Sequence, residues 1–104
     1  MPISSITNIA AQGMMAETKR FAVSANNVAD VASVGYRRQL VELSPLETGG
    51  VSATVTEAPA SSGDSVDPAT EMIDQIGAAR DFEFNAAAFE AGADLWDVLA
   101  TIKR

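Results

Sequence analysis

The chain has 104 residues and contains neither cysteine nor histidine. Without thiols there is no disulfide framework and no thiolate metal site. Without imidazole the commonest general base and transition-metal ligand is missing. Aromatics are scarce, at one Trp, one Tyr and four Phe, and alanine makes up much of the 47% hydrophobic content. Alanine buries little area, so a monomer is expected to have a thin core. No run approaches the roughly 18 consecutive apolar residues of a spanning helix, and no membrane insertion is expected. The start of the chain also lacks the pattern of a cleavable signal, because Ser4, Ser5, Thr7 and Asn8 interrupt Ile3, Ile6 and Ile9.

Positive charge is the other shortage. The net charge is −7, and it is unevenly placed. Residues 1–39 carry Lys19, Arg20, Arg37 and Arg38 against Glu17 and Asp30. Residues 40–104 carry only Arg80, Lys103 and Arg104 against twelve carboxylates. Such a chain is repelled by nucleic acid and by anionic headgroups, so neither is expected as a partner. The split allows one half to attract the other, within a chain or between copies; a merely solvated acidic surface is the plainer alternative.

Signatures of catalysis are absent. Asp64, Asp67, Glu71 and Asp74 lack the glycine and the spacing of a calcium-binding loop. No G-x-S-x-G elbow or phosphate-cradling glycine loop occurs, and Ser65 beside Asp64 has no histidine to activate it. Arg37 and Arg38 lack surrounding basic residues and are expected to pair with carboxylates. No enzyme activity, catalytic residue, metal or cofactor is expected.

What is present is helical periodicity at both ends. From Ser4 to Ala32, Ile6, Ile9, Ala10, Gly13, Met14, Phe21, Ala25, Val28 and Ala29 recur mostly three or four apart. Ser4 or Ser5 suits the N-cap, and Gly35 suits the left-handed residue after a helix end. Gln39 to Leu43 is short and β-prone. Pro45 and Gly49-Gly50 follow as turn residues, and then Val51, Ala53 and Val55 alternate with Ser52, Thr54 and Thr56. A small hairpin is expected, resting on a helix or on another subunit because an isolated hairpin is marginal in water. Ala58 to Ser65 reads as a linker. Asp67 suits the N-cap of the second helix, with Pro68 at its first position, Glu71 and Asp74 near the positive end of the dipole, and Lys103 and Arg104 near the negative end. On this helix Met72, Ala79, Ala86, Ala93 and Ala100 form one row, and Gln75, Phe82, Phe89 and Trp96 form the next. Small and large residues alternating along one seam predict close approach of a neighbouring helix.

The predicted fold is mainly α: a long antiparallel two-helix hairpin, coiled-coil-like, with a small β-hairpin between the helices. The segments are an N-terminal helix over 1–35, a short β segment and linker over 36–66, and a C-terminal helix over 67–104, with the two helices forming one domain. Ile73, Ile76, Phe84, Leu95, Val98 and Leu99 do not fit on one seam, so association with other chains is expected to bury some of them.

Both ends resemble one family. The segment A-N-N-V-A-D-V-A-S-V-G-Y-R-R-Q, which contains Ala25, Asn26, Asn27, Asp30, Gly35, Tyr36 and Arg37, resembles the signature of bacterial flagellar axial proteins. That signature is usually A-N-N-[IL]-A-N, a short spacer, then G-[YF]-[KR]-R. Glu71, Met72, Ala78, Ala79, Arg80, Phe82 and Asn85 resemble the terminal helix of proximal rod subunits, E-M then A-[SA]-R-x-[YF]-x-x-N. Asp30 stands where that family usually has a second asparagine, and Ser33-Val34 replaces a common Thr-Pro or Thr-Asn pair. The large β-domain of hook and distal-rod proteins is missing. The resemblance implies a structural subunit of the basal-body rod that polymerises into a torque-transmitting, periplasm-spanning tube. It implies export by the flagellar type III apparatus without a cleaved signal, and other rod subunits or further copies of the chain as partners. It also implies that Asn26, Asn27 and Asn85 bond at helix interfaces, that Gly35 ends the first helix, and that Tyr36, Arg37 and Arg38 anchor the β segment. Met72, Phe82, Phe89 and Trp96 then pack on the first helix and on neighbouring subunits. The same residues also allow a soluble helical-hairpin adaptor that binds one partner helix and never polymerises.

Overall fold

The computed structural model describes residues 3–59 and 66–102. Its order is α1 (Ile3–Ala29), β1 (Gln39–Pro45), β2 (Val51–Glu57) and α2 (Pro68–Ile102). The chain is a helical hairpin with a two-stranded antiparallel sheet between its arms. Thirty-five residues in α2 span about 52 Å at 1.5 Å per residue, which is why the molecule measures 64 × 25 × 14 Å. Its radius of gyration is 17.7 Å, against about 13 Å for a compact domain of this length.

The two helices start and stop for different local reasons. Asp67 caps α2: its carboxylate accepts from Ala69 N at 3.1 Å and from Thr70 Oγ1 at 3.0 Å. Pro68 then occupies the first helical position, where a missing N–H costs nothing. α1 starts at Ile3, so Ser4 and Ser5 lie inside the helix and are not its caps. It also stops earlier than the periodicity suggests. After Ala29 the chain leaves through tight turns, with Val31 N bonding Val28 O and Ser33 N bonding Asp30 O. Gly35 does adopt the left-handed conformation, at φ 79°. It serves the turn closed by Tyr36 N and Ser33 O at 3.3 Å, not the helix end itself.

The sheet pairs Gln39 with Glu57, Val41 with Val55, Leu43 with Ala53 and Pro45 with Val51. Pro45 therefore ends β1 instead of lying in the turn. Leu46 N bonds Gly50 O, and Gly49 N bonds Leu46 O, each at 3.0 Å. Gly49 and Gly50 both have positive φ. Gly50 has a second constraint, because a Cβ there would lie 2.0 Å from Gln12 Oε1. The hairpin thus lies against α1, its tip over Ile9 and Gln12. The linker expected at 58–65 mostly lies outside the described residues, as do Lys103 and Arg104.

The interface between the helices is built from small and polar side chains. The buried residues of α2 are Glu71, Ala78 and Gly92; on α1, Ala10, Glu17, Ser24 and Asn27 are buried on the same helical face, and Ala16 on the face toward the hairpin. The seam of α2 therefore follows 71, 78, 85 and 92, one residue before the row at 72, 79, 86, 93 and 100 that the sequence suggests. Met72, Ala79, Ala93 and Ala100 are exposed. Alanine is found on every side of this helix, so periodicity alone does not select the packing face.

Candidate functional site

Residues of the motif that spans the end of α1 converge on one buried carboxylate. Glu71, in the first turn of α2, is 1% exposed, as is Asn27 near the end of α1. A carboxylate so placed needs partners, since burial of an unpaired charge is strongly unfavourable. It finds them on α1 and on the loop that leads into β1. Arg38 Nε donates to Glu71 Oε1 at 2.5 Å, Asn27 Nδ2 donates to the same oxygen at 3.2 Å, and Ser24 Oγ donates to Oε2 at 2.7 Å. Arg38 Nη2 also reaches Asp74 Oδ2 at 3.0 Å, and Gln75 Nε2 supports Ser24 Oγ at 3.3 Å. Position in the first turn of α2 adds the favourable end of the helix dipole.

Asn27 uses every polar capacity of its amide. Oδ1 accepts from Tyr36 OH at 2.7 Å and from Gln39 N at 2.9 Å. Nδ2 donates to Gln39 O at 3.0 Å as well as to Glu71. A primary amide presents two donors and two acceptor positions on a short stem, and aspartate or alanine cannot reproduce that set. One side chain therefore fastens the end of α1 to the start of β1 and to α2. Asn26, its neighbour, is exposed and reaches Tyr36 OH at 3.1 Å and Gln39 Oε1 at 3.3 Å. Burial pushes the Tyr36 hydroxyl above its ordinary value; the Asn26 hydrogen bond opposes this, and Asp30, Glu71 and Glu57 add to it.

Arg37 points the other way. It pairs with Glu57 Oε2 at 3.2 Å and donates through Nε to Ala58 O at 3.0 Å. Ala58 N in turn donates to Arg38 O at 2.8 Å. The two arginines thus tie the open end of the β-hairpin to itself and to α2, and both pair with carboxylates.

Further along the interface, Glu17 is buried beside Arg20, whose Nη1 lies 2.6 Å from Glu17 Oε2 and 3.2 Å from Asp81 Oδ2. Burial raises the Glu17 carboxyl above its ordinary value; Arg20 opposes this and Asp81 adds to it. Gly13 admits the Asn85 amide, which donates to Asp81 O at 2.9 Å, and a Cβ on Gly13 would lie 2.4 Å from Asn85 Oδ1. Gly92 admits Ile6 and Thr7.

The structure thus gathers Asn26, Asn27, Tyr36 and Glu71 with Arg38 at one end, sets Arg37 on Glu57 and Ala58 instead, and places Asn85 in the seam between the helices. It does not bring the remaining motif residues to that cluster. Ala25, Met72 and Arg80 are exposed, and the Asp30 carboxylate accepts from Ser33 Oγ of its own turn at 3.2 Å. Phe82 borders the interface beside Phe21 and Ala22, whereas Phe89 is 39% and Trp96 59% exposed. Sequence reasoning missed Ser24, Gln39 and Glu17. Ser24 and Glu17 are polar residues at inward positions of an apolar stripe, and that was the available signal. Gln39 contributes mainly backbone groups, which leave no trace in residue type.

No metal-holding group of three or more acidic residues occurs among the described residues. No described helix is long and apolar enough to cross a membrane. Around the interface lie open apolar surfaces: a groove of about 450 Å³ bordered by Phe21, Ala22, Ala78 and Phe82, and a cleft of about 410 Å³ formed by Trp96, Leu99, Ala100 and Ile102. No protein-family model matches the chain, and no curated protein matches it significantly.

Proposed function

We propose that this chain is a structural subunit of the bacterial flagellar basal-body rod, assembling through its two terminal helices into the axial tube that transmits torque. One observation carries the reading: the helices spend their small and polar residues on each other and turn their large apolar ones outward. Ile73, Ile76, Phe84, Trp96, Val98 and Ile102 are all more than half exposed. Apolar surface on this scale marks association with other chains. The Glu71 cluster would fix the angle between α1, the β-hairpin and α2, so that each subunit presents its outer faces in one geometry. A small interior without disulfides also unfolds at low cost, which suits export of the chain through a narrow type III channel.

Sedimentation and electron microscopy of the purified chain, alone and mixed with other rod subunits, test the proposal. Co-assembly into tubes or ordered oligomers is the expected result. A discrete one-to-one complex with a non-flagellar protein, with no co-assembly, would instead establish an adaptor.

A further inference from the structure

α2 carries a second apolar seam that α1 does not use. Phe84, Ala88, Ala91, Leu95, Val98 and Ile102 recur alternately four and three residues apart, and all six are exposed. That alternation is the spacing of a helix–helix seam, sustained here over about 27 Å. Its two flanks differ. On one flank lie Asn85 and Gly92, covered by α1. On the other lie Glu83, Glu90, Asp94 and Asp97, every one exposed. None of these four carboxylates forms a side-chain hydrogen bond or ion pair among the described residues. No basic residue occurs between Asp81 and Ile102.

We propose that this seam takes a single amphipathic α-helix from a different protein, apolar along the stripe and bearing Lys or Arg along the edge that meets the four carboxylates. Charge complementarity selects this occupant over the others. A second copy of the chain has too few free cations, and none spaced to match the four carboxylates. Arg20, Arg37 and Arg38 are already engaged with Glu17, Asp81, Glu57, Glu71 and Asp74, and Lys19 donates to Ala53 O at 3.5 Å. Arg80 is on α2 itself, ahead of the acidic stretch. Lys103 and Arg104 are adjacent at the chain end, whereas the carboxylates extend from residue 83 to residue 97, about 21 Å of helix. Pairing two copies through this seam would set like charges beside one another. An anionic membrane would meet the same repulsion. A basic helix gains apolar burial on the stripe and faster, better-oriented encounter from its charges.

The inference shares exposed Phe84, Val98 and Ile102 with the rod reading but adds the acidic flank, and its test is separate. The full chain is titrated calorimetrically with two synthetic amphipathic peptides that share apolar heptad positions and carry either Lys or Glu at the flanks. The Lys peptide binds, more weakly as salt increases, and the Glu peptide does not. Asp94→Lys combined with Asp97→Lys weakens the Lys peptide about tenfold and admits the Glu peptide. Val98→Asp, at an exposed position, abolishes binding while circular dichroism stays unchanged. Equal binding of both peptides, binding of neither, or indifference to Val98→Asp overturns the proposal. So does sedimentation showing a homodimer that Val98→Asp dissolves, or binding to anionic vesicles.

Discussion

Asn27 Nδ2 and Glu71 Oε1 meet at 3.2 Å across 44 positions of sequence, with both side chains only 1% exposed. The contact joins the end of the first helix to the start of the second through two buried side chains. A motif readable as an inter-subunit patch is, in the folded chain, first an internal fastening. Its outward neighbour Asn26 remains available at the surface.

The first prediction concerns that pair. Asn27→Asp places a carboxylate against Glu71 and removes two donated hydrogen bonds, so denaturant unfolding is expected to show a loss of about 3 kcal/mol. Asn26→Ala removes only exposed hydrogen bonds and is expected to stay within about 0.5 kcal/mol of the parent. Equal effects at the two positions would show that the cluster does not form as described.

The second prediction uses the closest approach of the helices. Gly13→Ala alone should favour an isolated helix by about 1 kcal/mol. In this fold the new Cβ would lie 2.4 Å from Asn85 Oδ1, and moving the amide breaks its 2.9 Å bond to Asp81 O. Gly13→Ala is therefore expected to lower the midpoint of thermal unfolding. Adding Asn85→Ala should recover it, because the obstacle and the bond disappear together. Additive losses in the double variant would place Asn85 elsewhere.

These residues also show how far sequence carries. Asp67 and Pro68, Gly49 and Gly50, and the alternating Val51, Ala53 and Val55 act on their own neighbourhoods, and the helix–hairpin–helix order is legible from them. The face on which α2 packs is not. Ala78 and Ala79 are the same residue type, and only the residues opposite, Ser24 and Glu17 among them, distinguish the buried row from the exposed one. Glu71 likewise reads as one more carboxylate in a first helical turn. Its burial depends on Arg38, 33 positions earlier, and on Asn27, neither of which any local pattern links to it. The early end of α1 depends on the turns through Asp30 and Ser33, which hydrophobic periodicity overruns.

The third prediction follows from Glu17. Burial raises its carboxyl above the ordinary value of 4.5, so the folded chain holds this proton more tightly than the unfolded chain does. Its contribution favours the folded state at low pH and declines as pH rises from about 4.5 through the raised value. Glu17→Gln has no such proton. The midpoint of the parent relative to the Gln variant should fall across that window and level off above it. Other carboxylates cancel in this comparison, so a gap that stays constant with pH would remove Glu17 as the cause.

The last prediction separates assembly from folding. Trp96 is 59% exposed near the end of α2, beside Leu99, Ala100 and Ile102. Trp96→Ala should change unfolding of the isolated chain by no more than about 0.5 kcal/mol. A large aromatic that becomes buried on association is commonly worth 2 kcal/mol or more, so assembly should weaken by roughly thirtyfold. Circular dichroism measures the first effect and sedimentation with rod subunits the second. An intact assembly combined with a lost monomer fold would invert the assignment and make Trp96 a core residue instead of a contact.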